Sequence, residues 1–252
     1  MRALSFRLTF ILGSLAVCLI FLAAWRSHPP HVLAPFALST APVDGAMQAS
    51  EPMYSSRFVS SQLDDFVHSS SVTALPGGDL MAVWFAGSRE GAADVQIRTA
   101  RFDAKSAEWG AEQVLATREQ TRDGTQRYIR KLGNPVIALG PDKRLWMFYV
   151  SVSVGGWATS AINVMVSDDL GANWSAPRQL VTSPFFNIST LVRAAPVFHA
   201  DGSIGLPVYH EFMGKFAEYL YLSADGAVID KFRISRGKHS LQPTIVPLDG
   251  RR

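Results

Sequence analysis

The chain has 252 residues, 48% of them hydrophobic and 18% charged, a formal net charge of +3 and one cysteine. That composition is globular; it excludes a disordered or collagenous chain, an intramolecular disulfide framework and any multi-cysteine zinc or iron–sulfur site. Arg2, Arg7 and Arg26 carry the whole excess charge, because 24 basic residues less these three balance the 21 acidic ones, so the pI of about 9.1 does not point to nucleic acid.

The first element faces a membrane. Leu8 to Trp25 reads LTFILGSLAVCLIFLAAW, uncharged and flanked by Arg7 and Arg26. A run of this length can just cross a hydrocarbon core of ~30 Å. The long apolar stretch and the mediocre cleavage site Leu22-Ala23-Ala24 favour a membrane anchor over a cleaved signal peptide. The alternative is secretion after cleavage. The basic N-terminus stays in the cytoplasm, so the remainder lies on the periplasmic or extracytoplasmic side. Residues 1–26 are therefore expected as a transmembrane helix. Residues 27–62, rich in Pro, Ala and Ser, are expected as a stem that buries too little apolar surface to order itself.

Beyond the stem, residues 63–252 repeat. SSVTALPGGDLMAVWFAG begins at Ser70, NPVIALGPDKRLWMFYVS at Asn134, APVFHADGSIGLPVYHE at Ala195 and QPTIVPLDGRR at Gln242. Each holds a β-type run, a Gly/Asp turn and a second apolar run, which is a hairpin signal. The near-continuous runs Leu80–Phe85 and Leu145–Val152 read as strands buried on both faces. Val72 to Val136 spans 64 residues and Val136 to Val197 spans 61. A period of ~50–60 residues with about four strands predicts an all-β propeller, here three blades and the start of a fourth. The last unit stops at Asp249-Gly250-Arg251-Arg252, inside its turn. A ring left open exposes sheet edges, so a longer protein or self-association is expected to close it.

One motif is specific. Ser167-Asp168-Asp169-Leu170-Gly171-Ala172-Asn173-Trp174 fits S-x-D-x-G-x-x-W, in which Asp169 accepts backbone N–H bonds, Gly171 permits the turn and Trp174 covers it. It resembles the Asp box of sialidases, and HSSSVTALPGGDLMAVWFAGSREGAADVQI from His68 is similar to the opening blade of sialidase-like proteins with BNR repeats. The resemblance covers about residues 66–252. It implies a sialidase-type propeller, with the box Ser167, Asp169, Gly171 and Trp174 on the face away from the active site. Ser223-Ala224-Asp225-Gly226 stands in the matching place of the third blade, in degraded form.

In an antiparallel blade, the start of strand one and the end of strand two share an edge, and these edges converge on a central funnel. This groups His68, Ser69, Asn134, Arg193, His239 and Gln242 with Arg89, Glu90, Asp94, Trp157, His210, Glu211 and Lys215. Arginine suits a sugar carboxylate through paired hydrogen bonds, and a carboxylic acid can protonate a leaving oxygen. The candidate catalytic residues are thus Glu90, Asp94 and Glu211. The substrate-binding candidates are His68, Arg89, Asn134, Arg193, His210, Lys215, His239 and Gln242. His199, near the opposite turn, reads as structural. The resemblance implies hydrolysis of terminal acidic sugars of glycans, using a tyrosine nucleophile, a glutamate, an aspartate and three arginines. The sequence departs from that pattern: Val67-His68-Ser69-Ser70 stands where the family has Arg-Ile-Pro, and the tyrosine and last arginine belong to later blades. A non-catalytic carbohydrate-binding propeller and an inactive fragment are the alternatives. No metal-ligand spacing and no Gly-rich phosphate loop appears, so no cofactor is implied.

Overall fold

The computed structural model describes residues 2–27, 31–38, 54–60, 65–183 and 187–249. The chain divides into two compact units, Met1–Leu33 and Ala34–Arg252. The first is built on helix α1 (Arg2–Ser27), whose window Arg7–Ala24 is long and apolar enough to cross a membrane.

The second unit holds three antiparallel sheets like propeller blades. The first is β1 (Phe66–Ala74), β2 (Leu80–Gly87), β3 (Gln96–Asp103) and β4 (Glu108–Trp109), with β5 (Gln113–Ala116) also on β3. A short helix α2 (Arg118–Thr125) then leads to β6 (Lys131–Leu139), β7 (Leu145–Val152), β8 (Ser160–Ser167) and β9 (Arg178–Gln179), paired in that order. The third sheet has β10 (Leu191–Val192) and β11 (Val197–Phe198) on one edge of β12 (Ile204–His210). It continues through β13 (Phe216–Leu222) and β14 (Val228–Arg233). Its inner strand is broken where Pro196, which has no N–H to donate, precedes β11.

The middle sheet explains the apolar runs. Side chains alternate faces along a strand. Leu145, Met147 and Tyr149 of β7 pack with Val83, Phe85 and Ile97 of the first sheet. Trp146, Phe148 and Val150 pack with Ile204, Leu206 and Val208 of the third. The inner strands also meet: Ser71 Oγ and Thr73 Oγ1 of β1 accept from Ile137 N and Leu139 N of β6, each at 3.2 Å. Edge N–H groups that no strand pairs are thereby satisfied.

Three features differ from the sequence expectation. Helix α2 has no apolar stripe; it is fixed by a capping box, with Gln120 N donating to Thr117 Oγ1 at 3.2 Å and Thr117 N to Gln120 Oε1 at 2.9 Å. Thr121 Oγ1 then meets Tyr149 OH at 2.9 Å and ties the helix to β7. Part of the expected stem is attached to the sheets. Ala37 N donates to Phe198 O, and Ala200 N to Pro35 O, both at 2.8 Å, while Phe36 stacks on His199 at 4.8 Å. Residues 28–30, 39–53 and 61–62 of that stretch lie outside the described residues. Residues 242–249 form no strand, and the rest of the expected fourth hairpin, from Gly250, also lies outside. His199 is structural as read: it is buried, with its imidazole between Tyr219 OH at 2.7 Å and Ala34 O at 2.6 Å.

Candidate functional site

Strand register places the site edge. Phe66 pairs with Gly87, Lys131 with Val152 and Leu191 with Tyr209, so the starts of the inner strands lie beside the ends of the second strands in all three sheets. At this edge β1 and β6 each carry a bulge, between His68 and Ser71 and between Gly133 and Val136. Ser69 (φ 60) and Asn134 (φ 47) sit there in the left-handed region, and Gln242 (φ 50) repeats it. Bulges re-aim side chains. Here they build a polar line across the three sheets. Ser69 Oγ donates to Asn134 Oδ1 at 3.2 Å, Asn134 Nδ2 donates to Tyr209 OH at 3.3 Å, and Tyr209 also bonds the Gln242 side chain. Arg193 Nη1 reaches from the third sheet to Ser70 O of the first, at 3.4 Å.

Tyr209 is the buried node of this line. Burial first, and then the nearby charge of Glu211, push its phenol up to about 12. It stays protonated and donor-competent at any physiological pH. In sequence it reads only as the end of the buried strand GLPVY; its signal is alternation along β12, which sets Tyr209 apart from His210.

Beside this line opens a cavity of about 440 Å³, lined by His68, Ser69, Ser70, Arg193, Trp84 and Ser60 among others. Among the described residues no carboxylate lines it. Trp84 is buried and its indole Nε1 has no hydrogen-bond partner. Trp84 belongs to an apolar run, and Ser60 to the expected stem, so nothing in the sequence marks either as a wall of this cavity.

Of the predicted residues, His68, Asn134, Arg193, Gln242 and Glu211 come together here. The others do not join them. Asp94 braces its own loop, accepting Ser88 N at 2.9 Å and Ser88 Oγ at 3.0 Å, and these bonds hold its carboxyl below the usual carboxylate range. Arg89 and Glu90 are exposed in the same loop. His210 turns to the other face, stacked on Phe216 at 4.6 Å and accepting Met213 N at 3.2 Å. Burial lowers its pKa, which favours the neutral ring over a cation for substrate. Lys215 and His239 pair with each other through a parallel bridge. Among the described residues no group of three His, Cys, Asp or Glu side chains could hold a metal ion.

The Asp box occupies the opposite edge, where Ser167 pairs with Leu145 at the start of β7. Ser167 Oγ donates to Asp169 Oδ1 and accepts Gly171 N, both at 2.8 Å. Asn173 donates twice to Asp169, from N at 2.8 Å and from Nδ2 at 2.7 Å. These bonds, the Asn173 backbone first, hold Asp169 down to about 2. The third sheet keeps half of this turn: Ser223 Oγ donates to Asp225 Oδ1 and accepts Ala227 N at 3.0 Å.

Solved structures share the architecture. A leech intramolecular trans-sialidase aligns with a TM-score of 0.55 at 11% identity, over 74% of this chain and 46% of that one. A Hadza microbial sialidase aligns at 0.51 and 16%, over 66% and 37%. A family 117 glycoside hydrolase of the marine bacterium Zobellia galactanivorans aligns at 0.52 and 12%, over 69% and 59%. The chain thus spans roughly half the length of these structures, and at such identities the likeness shows the fold alone. No curated protein matches the sequence. The BNR repeat-like domain matches residues 78–252, well over half of the sequence, and the chain belongs to that family.

Proposed function

We propose that the funnel edge binds terminal acidic sugars of glycans outside the cytoplasm, as the substrate-recognition part of a sialidase-type glycoside hydrolase. The observation that carries this reading is the cavity of about 440 Å³ beside Arg193. An anion entering it meets one guanidinium and the serine hydroxyls, beside the aromatic wall of Trp84, and no carboxylate among the described residues. Guanidinium suits a planar carboxylate through two parallel bonds, and an aromatic wall suits the apolar edge of a sugar ring. Helix α1 would hold this domain at the outer surface of a membrane.

Hydrolysis also needs an acid near the leaving oxygen. Glu211, beside the Tyr209 phenol, is the nearest candidate in this reading. Carbohydrate binding without turnover is the second reading. It is favoured by Asp94, whose lowered pKa and two bonds to Ser88 suit a structural carboxylate rather than a general acid.

The test uses the full chain in detergent, with a sialylated oligosaccharide for binding and a fluorogenic acidic-sugar glycoside for turnover. Saturable binding, weakened at least tenfold by Arg193→Gln, is the expected result. Fluorophore release that Glu211→Gln abolishes supports the hydrolase, and binding without release supports the second reading. Absence of binding to acidic glycans overturns both.

A further inference from the structure

A second cavity, of about 450 Å³, opens near the same edge of the middle sheet and shares no lining residue with the first. Its walls include Ser151 of β7, Gln179 of β9, and Arg127 after α2. Along β7, Leu145, Met147 and Tyr149 are apolar-facing, and the next residue on that face is Ser151. Asn163 of β8, opposite Tyr149, shares the face.

These groups are incompletely paired. Ser151 is 2% exposed and Asn163 is fully buried, yet Ser151 Oγ and Asn163 Oδ1 have no hydrogen-bond partner. Buried polar atoms in native structures are nearly always paired, so two orphans together call for an account. Gln179, paired with Asn163 across the sheet, accepts Asn187 Nδ2 at 3.3 Å through Oε1. Its Nε2 has no acceptor among the described residues. Arg127 is exposed and makes no ion pair among the described residues, and no carboxylate lines the cavity. The wall is braced from behind. Asn187 Oδ1 accepts Thr182 N at 2.8 Å and Thr182 Oγ1 at 3.0 Å, and Nδ2 also donates to Leu180 O at 2.7 Å.

We infer that this cavity is a second carbohydrate site, which takes a hydroxyl-rich ring carrying one anionic group. Arg127 meets the anion, and Ser151 and Gln179 meet ring hydroxyls. Val154, Val181 and Ile188, also on the wall, offer aliphatic contact for the C–H edge of the ring. Opposite sign would be expected of a cation site, and hydroxyl and amide groups have no use for a wholly apolar ligand. The inference stands apart from the funnel reading, since it uses none of the same residues.

The test is glucuronate binding by calorimetry or saturation-transfer NMR on the full chain in detergent, with glucose and inorganic sulfate as comparisons. It is run in an Arg193→Gln background, which removes the funnel cation. Glucuronate binding that persists there, exceeds that of glucose at least tenfold and is lost on adding Arg127→Gln is the expected result. Ser151→Ala keeps or raises the thermal midpoint, since it removes an unpaired hydroxyl, and weakens glucuronate binding severalfold. Three results overturn the inference: no glucuronate binding in the Arg193→Gln protein, binding indifferent to Arg127→Gln, or sulfate binding as tightly as glucuronate. A lowered midpoint in Ser151→Ala with binding unchanged assigns that hydroxyl to the fold and also overturns it. Because Arg193 is already absent from these proteins, failure here leaves the funnel reading standing.

Discussion

The two edges of the middle sheet spend their polar groups differently. At the Asp-box edge, Asp169 accepts bonds of 2.7 and 2.8 Å from Asn173 and Ser167, and Gly171 N donates to Ser167 Oγ. The turn is closed on itself. At the funnel edge, Ser69, Asn134, Tyr209 and Arg193 are joined by bonds of 3.2 to 3.4 Å, two of those residues lie at strained bulges, and Trp84 Nε1 has no partner. N–H···O bonds are strongest near 2.9 Å. A group already well bonded inside the protein has little left for a ligand; a loosely bonded one can exchange its partner at small cost. The first edge therefore serves stability, and the second keeps the exchangeable partners that the proposed ligand would need.

Breaking the closed edge has the largest expected effect. Gly171 has φ +94, and a Cβ there would lie 2.4 Å from Met81 Cε. Gly171→Val therefore combines left-handed backbone strain with displacement of a core methionine, a loss of about 3 kcal/mol in urea unfolding. Glycan binding by the protein that remains folded should be unchanged; a loss of binding at full folding would show that the edges are coupled. Asp169 supplies the pH form of the same test. Its folded pKa, about 2, lies below its unfolded value, so the folded state binds fewer protons in between. Its stabilisation is complete above about pH 4 and is lost as pH falls through about 2. Asp169→Asn should flatten that part of the acid unfolding curve, and an unaltered curve would remove Asp169 from the turn's energetics.

The contrast also marks what was legible in the sequence. The box is local: its donors and acceptors lie within seven residues, so spacing alone identifies it. The apolar runs Leu80–Phe85 and Leu145–Val152 likewise declare strands covered on both faces, and the repeat gives the blades their register. The funnel is not local. Arg193 and Ser70 are 123 residues apart, and Asn134 and Tyr209 are 75 apart. Placing candidates by strand edge grouped His68, Asn134, Arg193 and Gln242, which do lie near one another, but it could not tell which face each loop residue takes. Asp94 therefore read as an acid, though it caps its own loop, and His210 read as a ligand, though alternation turns it away. Trp84 and Ser60 carry no sequence signal, because their role depends on a cavity formed between distant segments.

Arg193 sharpens the comparison from the other side. It is half-buried and makes one long bond to a backbone carbonyl. Arg193→Gln should change stability by less than about 0.5 kcal/mol. Its binding of acidic oligosaccharides should fall at least tenfold, about 1.4 kcal/mol, while neutral ones are unaffected. A large stability loss with binding intact would make this arginine a strut between the first and third sheets, and the funnel edge would then be as closed as the box.

The smallest expected effect separates His210 from the funnel. Burial against Phe216 holds its pKa below 6.5, with the Glu218 carboxylate and the Lys231 ammonium acting on it in opposite directions. The unfolded chain binds the proton more readily than the folded one. The neutral ring's stabilisation is therefore complete above about pH 6.5 and declines as pH falls below it. His210→Phe keeps a ring against Phe216 and cannot titrate. Its midpoint should fall less between pH 7 and 5 than the parent's does, with acidic-glycan binding alike in both. If the substitution instead changes the pH dependence of binding, His210 acts on the ligand, and the face assigned to it by alternation along β12 is the wrong guide to its role.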